Sequence, residues 1–169
     1  MVKARVIPRR FLAVALVLAI GMPSAQASPR IAIYNRSHYF KHIDRRVLTH
    51  YLSAVSTKWD IYQGTYEIYL YDYMPSFLII DPRAIGGHTA EVKAYINAKA
   101  LSESGLSIYY VLTHELAEMA TDPHLDRYCN GELLEIADPV RSGEMYIDNQ
   151  QVASFVSPDF CTQTNPAKG

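Results

Sequence analysis

Residues 107–123, Ser-Ile-Tyr-Tyr-Val-Leu-Thr-His-Glu-Leu-Ala-Glu-Met-Ala-Thr-Asp-Pro, constrain this chain more than any other stretch. Ile108, Val111, Leu112, Leu116 and Met119 recur mostly at steps of three and four, the apolar stripe of one helix. Ser107 stands where an N-cap belongs, and Pro123 ends the helix because the residue before a proline avoids the helical region. His114 and Glu118 are four residues apart, so they lie one above the other on a single face and can reach one point in space. Glu115 lies about 100° further round. A His-Glu pair on a helix is common and both glutamates suit a solvated face, so the rest of the chain has to decide what this trio is for.

The first 27 residues do not belong to the fold by this reading. Lys3, Arg5, Arg9 and Arg10 form a basic start, Phe11 to Ile20 an apolar stretch, and Ala25-Gln26-Ala27 a small-x-small cleavage site, the layout of a secretory signal peptide. The apolar stretch is short for a membrane span, so no stable anchor is expected after cleavage. The protein is expected to be exported, to the periplasm or fully secreted. Residues 28–169 then form one domain. Removing the leader's four basic residues leaves 12 Lys+Arg against 17 Asp+Glu, a net charge of −5. That balance argues against nucleic acid as a partner. Much of the acidity falls between Glu115 and Asp138, which suits a cation site better than a phosphate site. Cys129 and Cys161 are the only cysteines, an even number in an oxidising compartment, and a single disulfide is the natural expectation.

Taken in order, Ile31 to Tyr34 reads as a short opening strand. Asp44 to Trp59 carries Val47, Leu48, Tyr51, Leu52 and Val55 at helical spacing, a covering helix. His38, His42 and His50 read as surface or packing residues. Thr65 to Tyr71 alternates, with Tyr66, Ile68 and Leu70 facing the core. Phe77 to Ile80 reads as a buried central strand. Gly86-Gly87-His88 suggests a turn with close backbone approach; His88 reads as a loop histidine, with a place facing the His114 site as the less favoured alternative. Glu91 to Ala98 alternates and is expected to form an edge strand in front of the main helix. Leu133, Leu134 and Ile136 should be buried, and can carry Glu135 or Asp138 inward. Met145 to Ile147 and Gln151 to Val156 flank Asp148-Asn149 as a β-hairpin, and Ser157 to Gly169 has little periodicity.

His114-Glu115-x-x-Glu118 resembles the zincin motif His-Glu-x-x-His, in which two histidines bind zinc and the glutamate is the general base. The departure is Glu118 in place of the second histidine, which makes the site more anionic and less selective for zinc. Two residues compete for the third ligand position. Glu135, 21 residues beyond His114, matches a gluzincin-like layout and is preferred. His124, ten residues beyond His114, has metzincin-like spacing, but Thr121 stands where that pattern wants glycine. Asp122 and Asp138 remain candidates to replace or join Glu135, or to orient ligands. Over residues 110–160 the run His-Glu-Leu-Ala-Glu-Met-Ala-Thr-Asp-Pro, then Glu-Ile-Ala-Asp-Pro-Val, then Tyr-Ile-Asp and Val-Ala-Ser-Phe-Val-x-Pro resembles a family of small zincin-like, metallopeptidase-like proteins of bacteria and phages. The plant phosphate-induced, exordium-like proteins are similar in the His-Glu-Leu-Ala-Glu and Glu-Ile-Ala-Asp pair.

The resemblance implies an α+β domain of minimal zincin-like type. It would have a mixed twisted sheet of about four strands, a covering helix, a metal-site helix and a C-terminal hairpin. It implies a metal-dependent hydrolase, most naturally a peptidase acting on peptide or protein substrates. His114, Glu118 and Glu135 would hold a divalent metal, with Glu115 as general base. Zinc is favoured by the motif. One His and two Glu neutralise a divalent ion and weaken it as a Lewis acid, so calcium or manganese are also compatible. The rival reading is a non-catalytic exported binding or structural protein with a structural metal or none.

Overall fold

The computed structural model describes residues 28–76, 83–129, 131–140 and 144–163. The leader and the Phe77–Ile80 run lie outside these. The elements are β1 (Arg30–Asn35), α1 (Arg45–Ser56), β2 (Thr65–Tyr71), β3 (Gly86–Thr89), β4 (Lys93–Asn97), α2 (Ala98–Ser104) and α3 (Ile108–Thr121). After them come β5 (Tyr128–Cys129), β6 (Glu132–Leu133), a 3-10 turn (Asp138–Val140), β7 (Glu144–Ile147), β8 (Gln150–Ala153) and α4 (Asp159–Gln163). This is the mixed α+β class that the sequence implies. The main sheet has the order β1-β2-β4-β3, with β1, β2 and β4 parallel and β3 antiparallel to β4. Two small hairpins, β5–β6 and β7–β8, complete it.

Alternation in β2 works as expected: Tyr66, Ile68 and Leu70 are fully buried. They face α1, whose Val47, Leu48, Tyr51, Leu52 and Val55 are all buried. Asp44 caps α1 by accepting from the Arg46 amide at 2.9 Å. On the sheet's other face, in-register Tyr34, Tyr69 and Tyr95 stack with centroids 4.7 and 5.3 Å apart, which spends these tyrosines on cross-strand packing.

Helix α3 runs through the middle of the core, and every residue from Val111 to Thr121 except His114 is buried. A helix apolar on nearly all sides has to be enclosed. The sheet and α1 cover part of it, and β8 covers another side, where the Ala153 amide donates to Thr113 Oγ1 at 2.8 Å. Ser107 caps α3 through the Tyr109 amide at 3.2 Å, as its position suggests. The β7–β8 turn has Asp148 and Asn149 at φ 50° and 62°, the left-handed pair a tight hairpin needs. Among the described residues no helix is long and apolar enough to cross a membrane.

Three readings change. The alternating stretch after residue 91 is not the edge: β4 lies between β2 and β3, and Ala94 to Asn97 are all buried. Among the described residues the edge on this side is β3, the Gly-Gly-His-Thr segment that reads as a turn. Glycines carry no side-chain alternation, so only the pairing with β4 makes it a strand. The second change is α2, where Asn97 ends β4 and caps the helix by accepting from Ala100 N at 3.1 Å, and Gly105 at φ 76° closes it. The third is α4, in the stretch with little periodicity. Neither helix is long enough to show a period, and each is held by its neighbours.

Candidate metal centre

Two elements converge on α3 where His114, Glu115 and Glu118 emerge. One is β3, bringing His88. The other is the return segment between β6 and the 3-10 turn, bringing Glu135 and Asp138. The return segment is anchored on both sides: Leu134 and Ile136 are buried, and the Val156 amide donates to Ile136 O at 3.0 Å. Leu133, expected inside, is exposed on β6. Asp122, 1% exposed, ends α3 and accepts from the Asp126 and Arg127 amides at 3.0 and 3.2 Å. Its carboxylate is used to fold the return loop.

The convergence forms a cleft of about 270 Å³. Its lining includes His88, His114, Glu115, Glu118, Glu135 and Asp138, with Gly86 and Gly87 beneath and Leu125 and Leu133 at the rim. His114 Nε2 lies 3.2 Å from Glu118 Oε1 and 3.3 Å from Asp138 Oδ1. His88 Nδ1 lies 3.2 Å from Glu115 Oε2 and 3.5 Å from Glu118 Oε2. Two trios therefore have ligand atoms within 4.8 Å of one another: His114–Glu118–Asp138 and His88–Glu115–Glu118. Either group can hold a metal ion.

Of the residues chosen from sequence, His114, Glu115 and Glu118 come together. Glu135 reaches the same cleft but belongs to neither trio; Asp138, three residues on, has its carboxylate on His114 instead. Glu135 hydrogen-bonds Asp138, and its carboxyl is raised to about 7 by burial first, then by that bond and by the neighbouring charge. His124, at the metzincin-like spacing, is exposed, with Nδ1 3.3 Å from Ala90 O and its ring edge-on to Tyr62. The residue that sequence reasoning read first as a loop histidine, and only second as facing the site, is His88. The signal was faint: a histidine after two glycines, ahead of an alternating run. Its side chain is 7% exposed and its Nε2 has no hydrogen-bond partner among the described residues. Of the histidines read as surface or packing residues, His38 and His50 lie at the surface, paired with Asp72 and Asp148.

Gly86 explains the close approach of β3. A Cβ there would meet Glu115 Oε1 at 2.7 Å and Val111 Cγ1 at 3.2 Å. Among the described residues, the cleft's lining holds four carboxyl groups and no Lys or Arg. Buried carboxylates need a positive partner. Together with the buried His88 imidazole, whose Nδ1 faces Glu115 and Glu118, these carboxylates form a donor set that could hold a metal ion. Beside the acidic cleft, sharing Gly86, His114 and Glu115 with it, is an apolar cavity of about 370 Å³ lined by Ile85, Leu106, Tyr110 and Val111.

Cys129 and Cys161 stand at disulfide distance, Cα atoms 5.1 Å apart, tying β5 to α4. The pairing expected from the even cysteine count is therefore present, and it braces the loop that delivers Glu135 and Asp138. No family model, curated protein sequence or solved structure gave a significant match to this chain.

Proposed function

We propose that this protein is a metal-dependent hydrolase, most naturally a peptidase, centred on His114, Glu118 and Asp138 with Glu115 as general base. The observation that carries the reading is the meeting of two histidines and four carboxyls in one cleft, without a Lys or Arg among the described residues of its lining. When bound, a divalent ion would supply Lewis acidity, acidifying water and polarising a carbonyl. His114 and Glu118 hold the ion from α3, and Asp138 holds it from the 3-10 turn. Glu115, one residue from His114 and 6% exposed, accepts a proton and returns it to a leaving amine. His88 hydrogen-bonds Glu115 and fixes where its carboxylate points. The edge strand β3 can align an extended peptide beside the cleft. The adjoining apolar cavity can seat a side chain next to the scissile bond. The resemblance to small zincin-like proteins of bacteria and phages points the same way, and a signal-peptide-like start suits a role outside the cytoplasm.

The test is Glu115→Gln in purified protein, assayed against a peptide library with metal content measured in parallel. The variant should keep the ion that His114 holds and lose about 10²–10⁴-fold in hydrolysis. Equal hydrolysis by variant and parent would remove Glu115 from the chemistry. Metal-loaded parent that hydrolyses nothing would leave a non-catalytic metal-binding protein.

A further inference from the structure

The proposed function uses one of the two trios. We propose that the other, His88, Glu115 and Glu118, is a second and weaker divalent-cation site that shares Glu118 with the first and, when filled, takes Glu115 away from proton transfer. Excess metal would then inhibit the protein. The inhibitory consequence rests on the general-base role given to Glu115 above; the site itself does not.

Glu118 is placed to serve both. Its Oε1 faces His114 at 3.2 Å and its Oε2 faces His88 at 3.5 Å, so one carboxylate lies between two imidazoles. Neighbouring ions about 3.5–4 Å apart are the ordinary arrangement of two-metal sites. Burial makes the arrangement costly without cations: the side chains of His88, Glu115 and Glu118 are 7%, 7% and 4% exposed. Two buried carboxylates side by side repel each other and have lost their water. One divalent ion at His114 offsets only part of the charge of Glu115, Glu118 and Asp138, and a second ion offsets the rest.

His88 supplies the independent observation. Its ring is enclosed, Nδ1 is directed at Glu115 and Glu118, and Nε2 makes no hydrogen bond among the described residues. The nitrogen placed to meet an ion is Nδ1, which faces both carboxylates. A ligand histidine is held by what it binds. Gly86 adds a second geometric sign, because β3 can carry His88 against α3 only where residue 86 lacks a Cβ. The second site is the weaker one for a Coulombic reason: its ion must approach another divalent ion and share an oxygen donor with it. Its imidazole and two carboxylates suit zinc or manganese.

The experiment is a zinc titration of chelator-stripped protein by calorimetry, with elemental analysis, on the parent, His88→Ala and His114→Ala. The parent should bind two ions per chain in separable steps, the second at least about tenfold weaker. His88→Ala should keep the first step and weaken the second by about 100-fold, the upper end of what losing even a ligand's supporting residue costs. His114→Ala should lose the first step. In the peptide assay, hydrolysis by the parent should rise and then fall with zinc; His88→Ala, whose Glu115 has lost a positioning contact, should hydrolyse more slowly throughout but show no fall at high zinc. A single ion per chain, lost in His114→Ala and indifferent to His88→Ala, overturns the second site and leaves the proposed function standing. No ion in any protein overturns both. A second step unchanged in His88→Ala also overturns the proposal. If His88→Ala does not fold, His88→Leu, which keeps the bulk against α3, carries the same comparison.

Discussion

Glu135 offers a quantitative handle on the cleft before any substrate is known. Its carboxyl rises from an ordinary 4.5 to about 7 in the folded protein because it is buried beside Asp138 and Glu115. A raised carboxyl favours the protonated form in the folded state. Both states hold the proton below about pH 4.5. Between there and pH 7 the unfolded chain gives it up and the folded one keeps it, so stability falls as pH rises. Undiscounted, that interval corresponds to about 3 kcal/mol at 1.36 kcal/mol per pH unit. Glu135 is only half-buried, and solvent screening cuts this to about 1–2 kcal/mol. For a domain of this size that is a fall in Tm of about 3–8 °C. The assay is thermal unfolding of chelator-treated protein from pH 5 to 8, beside Glu135→Gln. The two should agree near pH 5, and Glu135→Gln should be the more stable at pH 8. Asp44, held at about 2 by its bonds to Arg46, titrates below this window. Zinc should flatten the parent's slope by offsetting the charge of Asp138. A parent curve that is flat or rising without metal, or an identical slope in Glu135→Gln, would refute the reasoning.

Two further expectations concern how the site is held. Gly86→Ala places a Cβ 2.7 Å from Glu115 Oε1, the movable end of a side chain. The fold should survive at a cost of about 1–3 kcal/mol, while the displaced base should lose about 10²-fold in hydrolysis; wild-type activity with intact folding would show that Glu115 has no fixed place. Breaking the Cys129–Cys161 link, which closes a 32-residue separation, should lower stability by about 2–4 kcal/mol in denaturant titration. It should also weaken metal binding, because the loop carrying Asp138 loses its brace. Unchanged affinity in Cys161→Ser would mean that the return segment is held by Leu134 and Ile136 alone.

Local chemistry was legible where a residue's role depends on its near neighbours in sequence. The spacing of Val47, Leu48, Tyr51, Leu52 and Val55 gave α1, the alternation of Tyr66, Ile68 and Leu70 gave the inner face of β2, and Ser107 and Pro123 bracketed α3. His114 and Glu118 could be put on one helix face because 3.6 residues make a turn wherever that helix sits. An even count of two cysteines announced their pairing. What the sequence could not determine depends on separate segments meeting in space. Sequence separation favoured Glu135 over Asp138, but the choice between them turns on which way a 3-10 turn faces His114. His88 looked like a loop residue because two glycines hide a strand; β4 makes it one by pairing, and the missing Cβ of Gly86 lets that strand press its histidine onto Glu115 and Glu118. Which strand is the edge was decided the same way, by pairing partners far apart in the chain. Periodicity along the chain reports burial and local conformation; the composition of a site assembled from three segments is fixed by tertiary packing, through distances that the linear order does not contain.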